Sequence, residues 1–327
     1  MTEVINRMGL TTSAVEIRAR AARAAKQPFD LLECAHTLGL GGAQIRGNAL
    51  PASEADRKAY RQKLDKWGMY LHGDLRLPRQ KSDVADFERA VRAHKEAGTT
   101  LLGTAMTGRR YEVFDSLEAF RKHKDQCMES LRLAEPVMRA EGIKLAFENH
   151  KDWRWQEQVT MIKQIGSEWI GARVDVGNNI SLCDDPMELV EGLAPYAFSC
   201  HIKDMAVEEY PQGFLLSEVA LGEGILDLPK MVQILRKATP GIKFLLEMIT
   251  RDPLQIPVYT EKYWVSFASA DSPLNGRDLA RTLAMVRAKR PKTPLQRISQ
   301  LSPAEQLKAE DENNRRCIEY ASGNLQL

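Results

Sequence analysis

Eight short apolar runs alternate with longer stretches whose apolar residues fall three and four apart, and this alternation limits the fold more than any other feature of the chain. The runs are residues 8–15, 41–46, 68–75, 99–106, 143–149, 170–177, 197–204 and 243–249. The stretches that follow them in turn are 30–38, 53–66, 83–97, 116–140, 156–166, 186–194, 228–238 and 277–289. Runs of the first kind read as buried strands and those of the second as amphipathic helices. Their alternation argues for βα units on a parallel sheet, and eight such units close most simply into a (β/α)8 TIM barrel, which typically needs ~250 residues. Start signals support several helices. Ser82 precedes the third, Asp185 stands before Pro186, and Asp227 stands two residues before Pro229. Pro136 predicts a kink or an early end in the fourth.

The surplus length falls in three places. Long loops are expected after strand seven, from Met205 to Leu226, and after strand eight, from Thr250 to Gly276, the latter carrying Tyr259, Tyr263 and Trp264. A polar C-terminal tail is helical in pattern over 303–320. The expected division is a barrel over 1–291 and a helical extension over 292–327 that packs on the barrel or on a partner subunit. A formal charge of +2 gives no electrostatic case for nucleic acid or a membrane surface. No stretch approaches the ~20 apolar residues of a membrane span, and residues 1–9 lack the apolar segment of a signal peptide. Five cysteines, odd in number and without a Cys-x-x-Cys pair, indicate neither a disulfide framework nor a zinc finger, so a reducing cytoplasm is the expected location.

Chemistry is concentrated where the later apolar runs end. Strand five ends in Phe-Glu-Asn-His with Glu148, strand six in Val-Asp-Val-Gly-Asn with Asp175, strand seven in Cys-His-Ile-Lys-Asp with His201, and strand eight in Leu-Leu-Glu with Glu247. The separations of 27, 26 and 46 residues each correspond to one βα unit, the last lengthened by the strand-seven loop. In a barrel these residues crowd one rim, at the C-terminal ends of the strands where sites are built. Any one of them alone reads as a buried group satisfied by a neighbouring Lys or Arg. Four on successive strands need a shared partner, because an unpaired charge in an apolar run costs several kcal/mol. A divalent cation compensates all four at once. Three carboxylates and one imidazole form a hard set suited to Mn²⁺, Mg²⁺ or Co²⁺, with Zn²⁺ as a further alternative; Mn²⁺ is favoured.

Ala-Phe-Glu-Asn-His, Val-Asp-Val-Gly-Asn, His-Ile-Lys-Asp and the strand-eight Leu-Glu resemble the xylose isomerase-like TIM barrels, the sugar phosphate isomerase/epimerase family. That family includes ketose 3-epimerases, inosose dehydratase and apurinic endonucleases. The resemblance covers roughly residues 8–290 and is sharpest over 143–250. It implies that Glu148, Asp175, His201 and Glu247 bind one divalent metal and that Glu148 and Glu247 double as acid/base residues. A metal holding two adjacent oxygens of a hydroxyketone acidifies the neighbouring C–H and stabilises the enediolate, and two carboxylates flanking that carbon can remove and return a proton. The expected activity is that of an isomerase or epimerase of a ketose or related polyhydroxy carbonyl compound. The alternatives are a lyase, dehydratase or deglycosidase acting on a keto-sugar or keto-inositol, and a sugar-binding barrel without catalysis. Two departures separate the chain from the simple epimerases, Asn178 and Val207 standing where those have a histidine and an arginine. Six histidines are too few for the trinuclear cluster of the nuclease branch.

On a strand that continued past Glu148, His150 would share its face, either hydrogen-bonding a ligand carboxylate or acting as a further acid or base in a lyase. Lys203 shares the face of His201 and is a candidate to hold a substrate oxygen. Asn178, His72 at the end of strand three, Trp153 and Arg154 are further candidates for substrate contact, and Trp155 accompanies Trp153 as an aromatic that can stack on a sugar. Arg109 and Arg110 follow strand four without a Gly-rich phosphate motif, so no phosphorylated substrate is inferred. Partners beyond a small sugar or keto-sugar are limited to a second copy of the chain in a homo-oligomer.

Overall fold

The computed structural model describes residues 8–268 and 273–327. The N-terminal segment read above for a signal peptide lies largely outside the described residues, as do residues 269–272 of the expected strand-eight loop. Eight parallel strands close into a barrel. In chain order the strands are β1 (Gly9–Thr11), β2 (Gly42–Arg46), β3 (Tyr70–Asp74), β4 (Thr99–Thr104), β5 (Leu145–Glu148), β6 (Ile170–Asp175), β7 (Ala197–Ile202), β8 (Asp204–Tyr210), β9 (Gly213–Val219), β10 (Lys243–Leu246) and β11 (Leu254–Ile256). The barrel runs β1 to β7 in order and closes through β10, which pairs with β7 on one side and β1 on the other. In β7, Cys200 and Ile202 join the core shared with the surrounding helices. Ser199 and His201, of the opposite parity, point into the barrel.

The helices start as their caps dictate, with one exchange. Asp185 accepts from the backbone N–H of Met187 and Glu188, and Asp227 from that of Lys230. The third helix is set by Asp83, whose carboxylate accepts from the N–H of Arg79 and Gln80; Ser82 is not its cap. The fourth neither stops nor breaks at Pro136 but runs from Leu117 to Glu141. One lost N–H is offset there by burial of Phe120, Met128, Leu131, Ala134 and Met138 along a single face.

Three expectations of length change. The first strand ends at Thr11, not at residue 15, because the Thr11 hydroxyl accepts from the N–H of Ala14 and turns the chain into a helix over Glu16–Ala24. The stretch expected as a loop after strand seven is instead a hairpin. β8 and β9 pair antiparallel from Asp204↔Val219 to Tyr210↔Gly213, and β11 adds a third strand, so the expected strand-eight loop contributes to the same small sheet. Met205, Val207, Phe214 and Leu216, two apart on each strand, share one face of the hairpin and fill a second apolar cluster with Tyr263 and Phe267. Gly213 permits the approach of β11, since a Cβ there would lie 2.2 Å from the Ile256 carbonyl oxygen. Asp204 fixes the return to the barrel by accepting from the N–H of Gly222 and Gly224 at 3.0 Å and of Leu226 at 3.2 Å.

The tail forms a helix over Pro303–Tyr320, started by Ser302 and Glu305, each side chain accepting from the other residue's N–H. It packs on this chain's own barrel. The two oxygens of Glu310 accept from Ile17 N (2.7 Å) and Arg18 N (2.8 Å) at the start of the first helix; Asn314 donates to Ala14 O and Asn313 to the Thr250 hydroxyl. Burial raises the Glu310 carboxyl from its ordinary 4.5 to about 7. A carboxyl raised on folding contributes stability below its unfolded pKa and loses it as pH rises through the folded one. Unfolding of the wild type is therefore expected to become easier between pH 5 and pH 8, with a shallower slope in Glu310→Gln. Identical slopes in thermal scans of the two proteins would show that Glu310 contributes nothing to the dependence.

Candidate metal centre

The strand ends meet as the barrel geometry requires. Glu148 ends β5, Asp175 ends β6, His201 is the penultimate residue of β7, and Glu247 follows β10. All four are buried, and each offers a ligand atom within 4.8 Å of the others. His201 Nδ1 lies 3.4 Å from Glu148 Oε2, 3.6 Å from Glu247 Oε1 and 3.9 Å from Asp175 Oδ2. His201 Nδ1 and Asp175 Oδ2, although buried, make no hydrogen bond. Lys203 Nζ stands 2.7 Å from that Asp175 oxygen, an ion-pair contact outside hydrogen-bond geometry. Buried polar atoms turned on one another without a bond are what a cation resolves, and three carboxylates with one imidazole suit a divalent one. The cluster could hold a divalent metal.

Each of these residues is held from behind. The Nε2 of His201 is 2.8 Å from Gln44 Oε1, which accepts its proton and turns Nδ1 toward the carboxylates, the nitrogen that would give up its own proton to ligate a cation. Gln44 in turn donates to Asp74 Oδ2 (2.8 Å), whose other oxygen takes Arg173 Nη1 (2.7 Å). Asp175 Oδ1 accepts from Gly177 N and Asn178 N, while Asn149 ties β5 to β6 by accepting from Asp175 N and donating to Asp175 O. Removing the first of these supports by Gln44→Leu is expected to weaken Mn²⁺ binding about 10–100-fold with the fold intact. Unchanged affinity in a metal titration would show that Gln44 does not set the imidazole.

The local charges follow from these contacts. Burial alone would raise the Glu148 carboxyl, but His201 beside it holds it down at about 2. Glu247 is likewise held far below its ordinary value against its burial, by Lys203 and His201. Burial raises Asp175 despite Lys203. Lys203 resists its own burial and is raised, with Asp175 and Glu247 as partners.

The other sequence candidates separate into two groups. Lys203 and Asn178 sit at the cluster: Lys203 Nζ is 2.5 Å from Glu247 Oε2, and Asn178 donates to Glu148 Oε1 (3.1 Å) while its own oxygen accepts from Lys151 and Lys203. His72 faces the barrel interior, buried with Nδ1 unpaired, and burial lowers its pKa well below 6.5. β5 stops at Glu148, so the strand alternation used to put His150 on the same face ends before it reaches that residue. Its Nδ1 is 3.0 Å from the Thr107 carbonyl, and its N–H donates to Asp152. Trp153 is buried against Phe120 and His123 on the helix Leu117–Glu141, a packing position. Arg154 is occupied by Asp184, Asp278 and the Pro273 carbonyl, and Trp155 lies against Gly192. Arg109 pairs with Glu112, while Arg110 is fully buried on Glu157 with its guanidinium 3.6 Å from the Phe120 ring centroid.

Lys151, Gln44, Asp74 and Arg173 escaped the sequence reading. Gln44 and Arg173 carried a usable signal, a polar side chain at an inward position of an apolar strand. For Lys151 there was none.

A family model for the xylose isomerase-like TIM barrel matches residues 22–266. The chain belongs to that family. Within these xylose isomerase-like barrels, it is 28% identical over 126 residues to the 3-oxo-isoapionate decarboxylase of Pectobacterium atrosepticum, a match covering 38% of this chain and 46% of that protein. A second curated relative is matched over 60% of its length, so the chain spans about half the length of the curated relatives it matches. Among solved structures, D-psicose 3-epimerase in the presence of D-fructose superposes with a TM-score of 0.62 at 14% identity, over 98% of this chain and 100% of that one. The IOLI protein with a bound zinc atom superposes with a TM-score of 0.57 at 14% identity, over 88% and 100%. At such identities the likeness is one of fold. No helix among the described residues is long and apolar enough to cross a membrane.

Proposed function

We propose that this barrel is a metal-dependent isomerase or epimerase of a ketose or related polyhydroxy carbonyl compound. The observation that carries the reading is the matched state of two carboxylates on either side of the cluster. Glu148 commits Oε1 to Asn178 and turns Oε2 toward His201 Nδ1; Glu247 commits Oε2 to Lys203 and turns Oε1 toward the same atom. In the barrel they stand on β5 and after β10, with β6 and β7 between them. Glu148, Asp175, His201 and Glu247 would hold the ion, Mn²⁺ by preference; the zinc bound by the IOLI barrel supports a divalent metal at such a site. A divalent ion bound there supplies the polarisation that acidifies the C–H beside a carbonyl. Glu148 Oε2 would then take the proton on one face of the substrate, and Glu247 Oε1, ionised at rest, would pick up a solvent proton and deliver it to the other face, while Lys203 and Asn178 fix the orientation of both carboxylates.

A second reading, a lyase on a keto-sugar, is favoured by the decarboxylase relative and by the absence of the epimerase histidine and arginine at Asn178 and Val207. We place the protein in the cytoplasm on the strength of five free cysteines, take residues 1–291 as the barrel unit with 292–327 as its extension, and take a small sugar or keto-sugar as its partner. Proton NMR in D₂O on Mn²⁺-loaded protein with a ketose and keto-sugar panel tests the assignment. Deuterium at a carbon beside the carbonyl with a new isomer supports the first reading, and loss of water or carbon dioxide supports the second. Binding without exchange or release would leave a sugar-binding barrel and sink both.

A further inference from the structure

Five lysines and arginines are buried among the described residues: Arg110, Lys151, Arg154, Arg173 and Lys203. Four of them face carboxylates. Arg110 has Glu157, Arg154 has Asp184 and Asp278, Arg173 has Asp74, and Lys203 has Asp175 and Glu247. Lys151 has none within ion-pair distance among the described residues; its ammonium donates to the neutral Oδ1 of Asn178. That amide places Lys151 one group away from Glu148, which takes Asn178 Nδ2, and from Lys203, which shares Oδ1.

The backbone at Lys151 is also costly. Its φ of +67° is in the left-handed region, which a lysine side chain disfavours, and the conformation is held by Arg110 N donating to Lys151 O at 2.9 Å. An unneutralised buried charge and a strained backbone thus coincide three residues beyond the first candidate ligand, at the barrel end where sites are built. With a divalent ion in place, the carboxylates of Glu148, Asp175 and Glu247 are balanced by that ion and the Lys203 ammonium. Nearby Glu218 is balanced by Arg251, its bidentate partner. Among these groups one positive charge, that of Lys151, remains; the neighbouring Asp152 carboxyl is pushed up to about 7 by burial and accepts from the N–H of His150 and Trp153. Burial, with Lys203 and Arg251 nearby, lowers this ammonium only to about 8, so it is charged at neutral pH.

We propose that Lys151 is a substrate-charge subsite: its ammonium binds a carboxylate carried by the substrate, which makes the substrate a polyhydroxy keto acid instead of a neutral sugar. The inference rests on the metal-dependent reading given under Proposed function and adds the substrate class to it. It is tested by calorimetry on Mn²⁺-loaded wild type, Lys151→Met and Lys151→Arg. The ligands are keto acids running from hydroxypyruvate, with the carboxylate next to the ketone, to D-fructuronate, with the carboxylate four carbons away, each paired with the neutral ketose of equal length.

In the wild type at least one acid is expected to bind about 30-fold more tightly than its neutral partner, the strength of one charge-assisted hydrogen bond. Lys151→Met removes that preference, keeps its Mn²⁺ content, and resists urea better than the wild type because the unneutralised ammonium is gone; Lys151→Arg keeps the preference. Equal binding of every pair by the wild type, or a preference that survives in Lys151→Met, overturns the subsite while leaving the metal reading standing. A wild type that takes up no divalent ion overturns both.

Discussion

Glu148→Gln is expected to lose about a thousandfold in the rate of proton exchange at the carbon beside the substrate carbonyl, together with most of its Mn²⁺ affinity. The substitution is nearly isosteric and keeps an oxygen for Asn178 Nδ2, so the fold survives. It removes the negative charge that lies 3.4 Å from His201 Nδ1 and the basic oxygen assigned to the proton. Exchange rates in D₂O and the metal content of the purified variant provide the check. A variant that retains its metal and exchanges at the wild-type rate would remove Glu148 from both roles, and the matched-carboxylate argument with it.

The second large effect concerns stability. Glu157→Gln is expected to lower the free energy of unfolding by about 3 kcal/mol, the cost of leaving a buried cation without its countercharge. Glu157 Oε2 receives Arg110 Nη1 at 2.6 Å and the backbone N–H of Arg154 at 3.0 Å. Arg110 is fully buried between the rings of Phe120 and Phe267. Water cannot replace the lost charge, so the guanidinium must move or remain unneutralised. Urea denaturation of wild type and variant measures the difference. A loss below about 1 kcal/mol would mean that the aromatic faces and the Ser266 contacts suffice for Arg110.

What could be read from sequence was what announces itself locally. Glu148, Asp175, His201 and Glu247 each interrupt an apolar run, and a barrel brings the ends of successive strands to one rim, so their meeting needed only the βα order. Gln44, Asp74 and Arg173 behave differently, because they form a chain of hydrogen bonds that exists only after β2, β3 and β6 have closed on one another. His150 shows the limit of alternation as a guide: the period of two ends with the strand, and β5 ends two residues earlier. The hairpin β8–β9 was legible in principle from Met205, Val207, Phe214 and Leu216, but Gly213, together with Gly222 and Gly224 just beyond it, suggested a loop. The helix over Glu16–Ala24 is rich in alanine and arginine and buries little, so it offered a weak periodic signal. Lys151 was invisible because a left-handed φ at a non-glycine residue follows from the surrounding contacts and not from the residue itself.

The contacts of the helix Pro303–Tyr320 have a mechanical consequence. The joint between β1 and β10 is the shortest in the barrel, with two residue pairs, Gly9↔Leu245 and Leu10↔Leu246. The helix grips both sides of that joint, through Ala14, Ile17 and Arg18 beyond β1 and Thr250 beyond β10. It works as a buckle across the seam of a hoop. Glu247 is the first residue past the buckled strand, so the last turns of the chain, remote from the centre in sequence, help to hold one of its carboxylates in place.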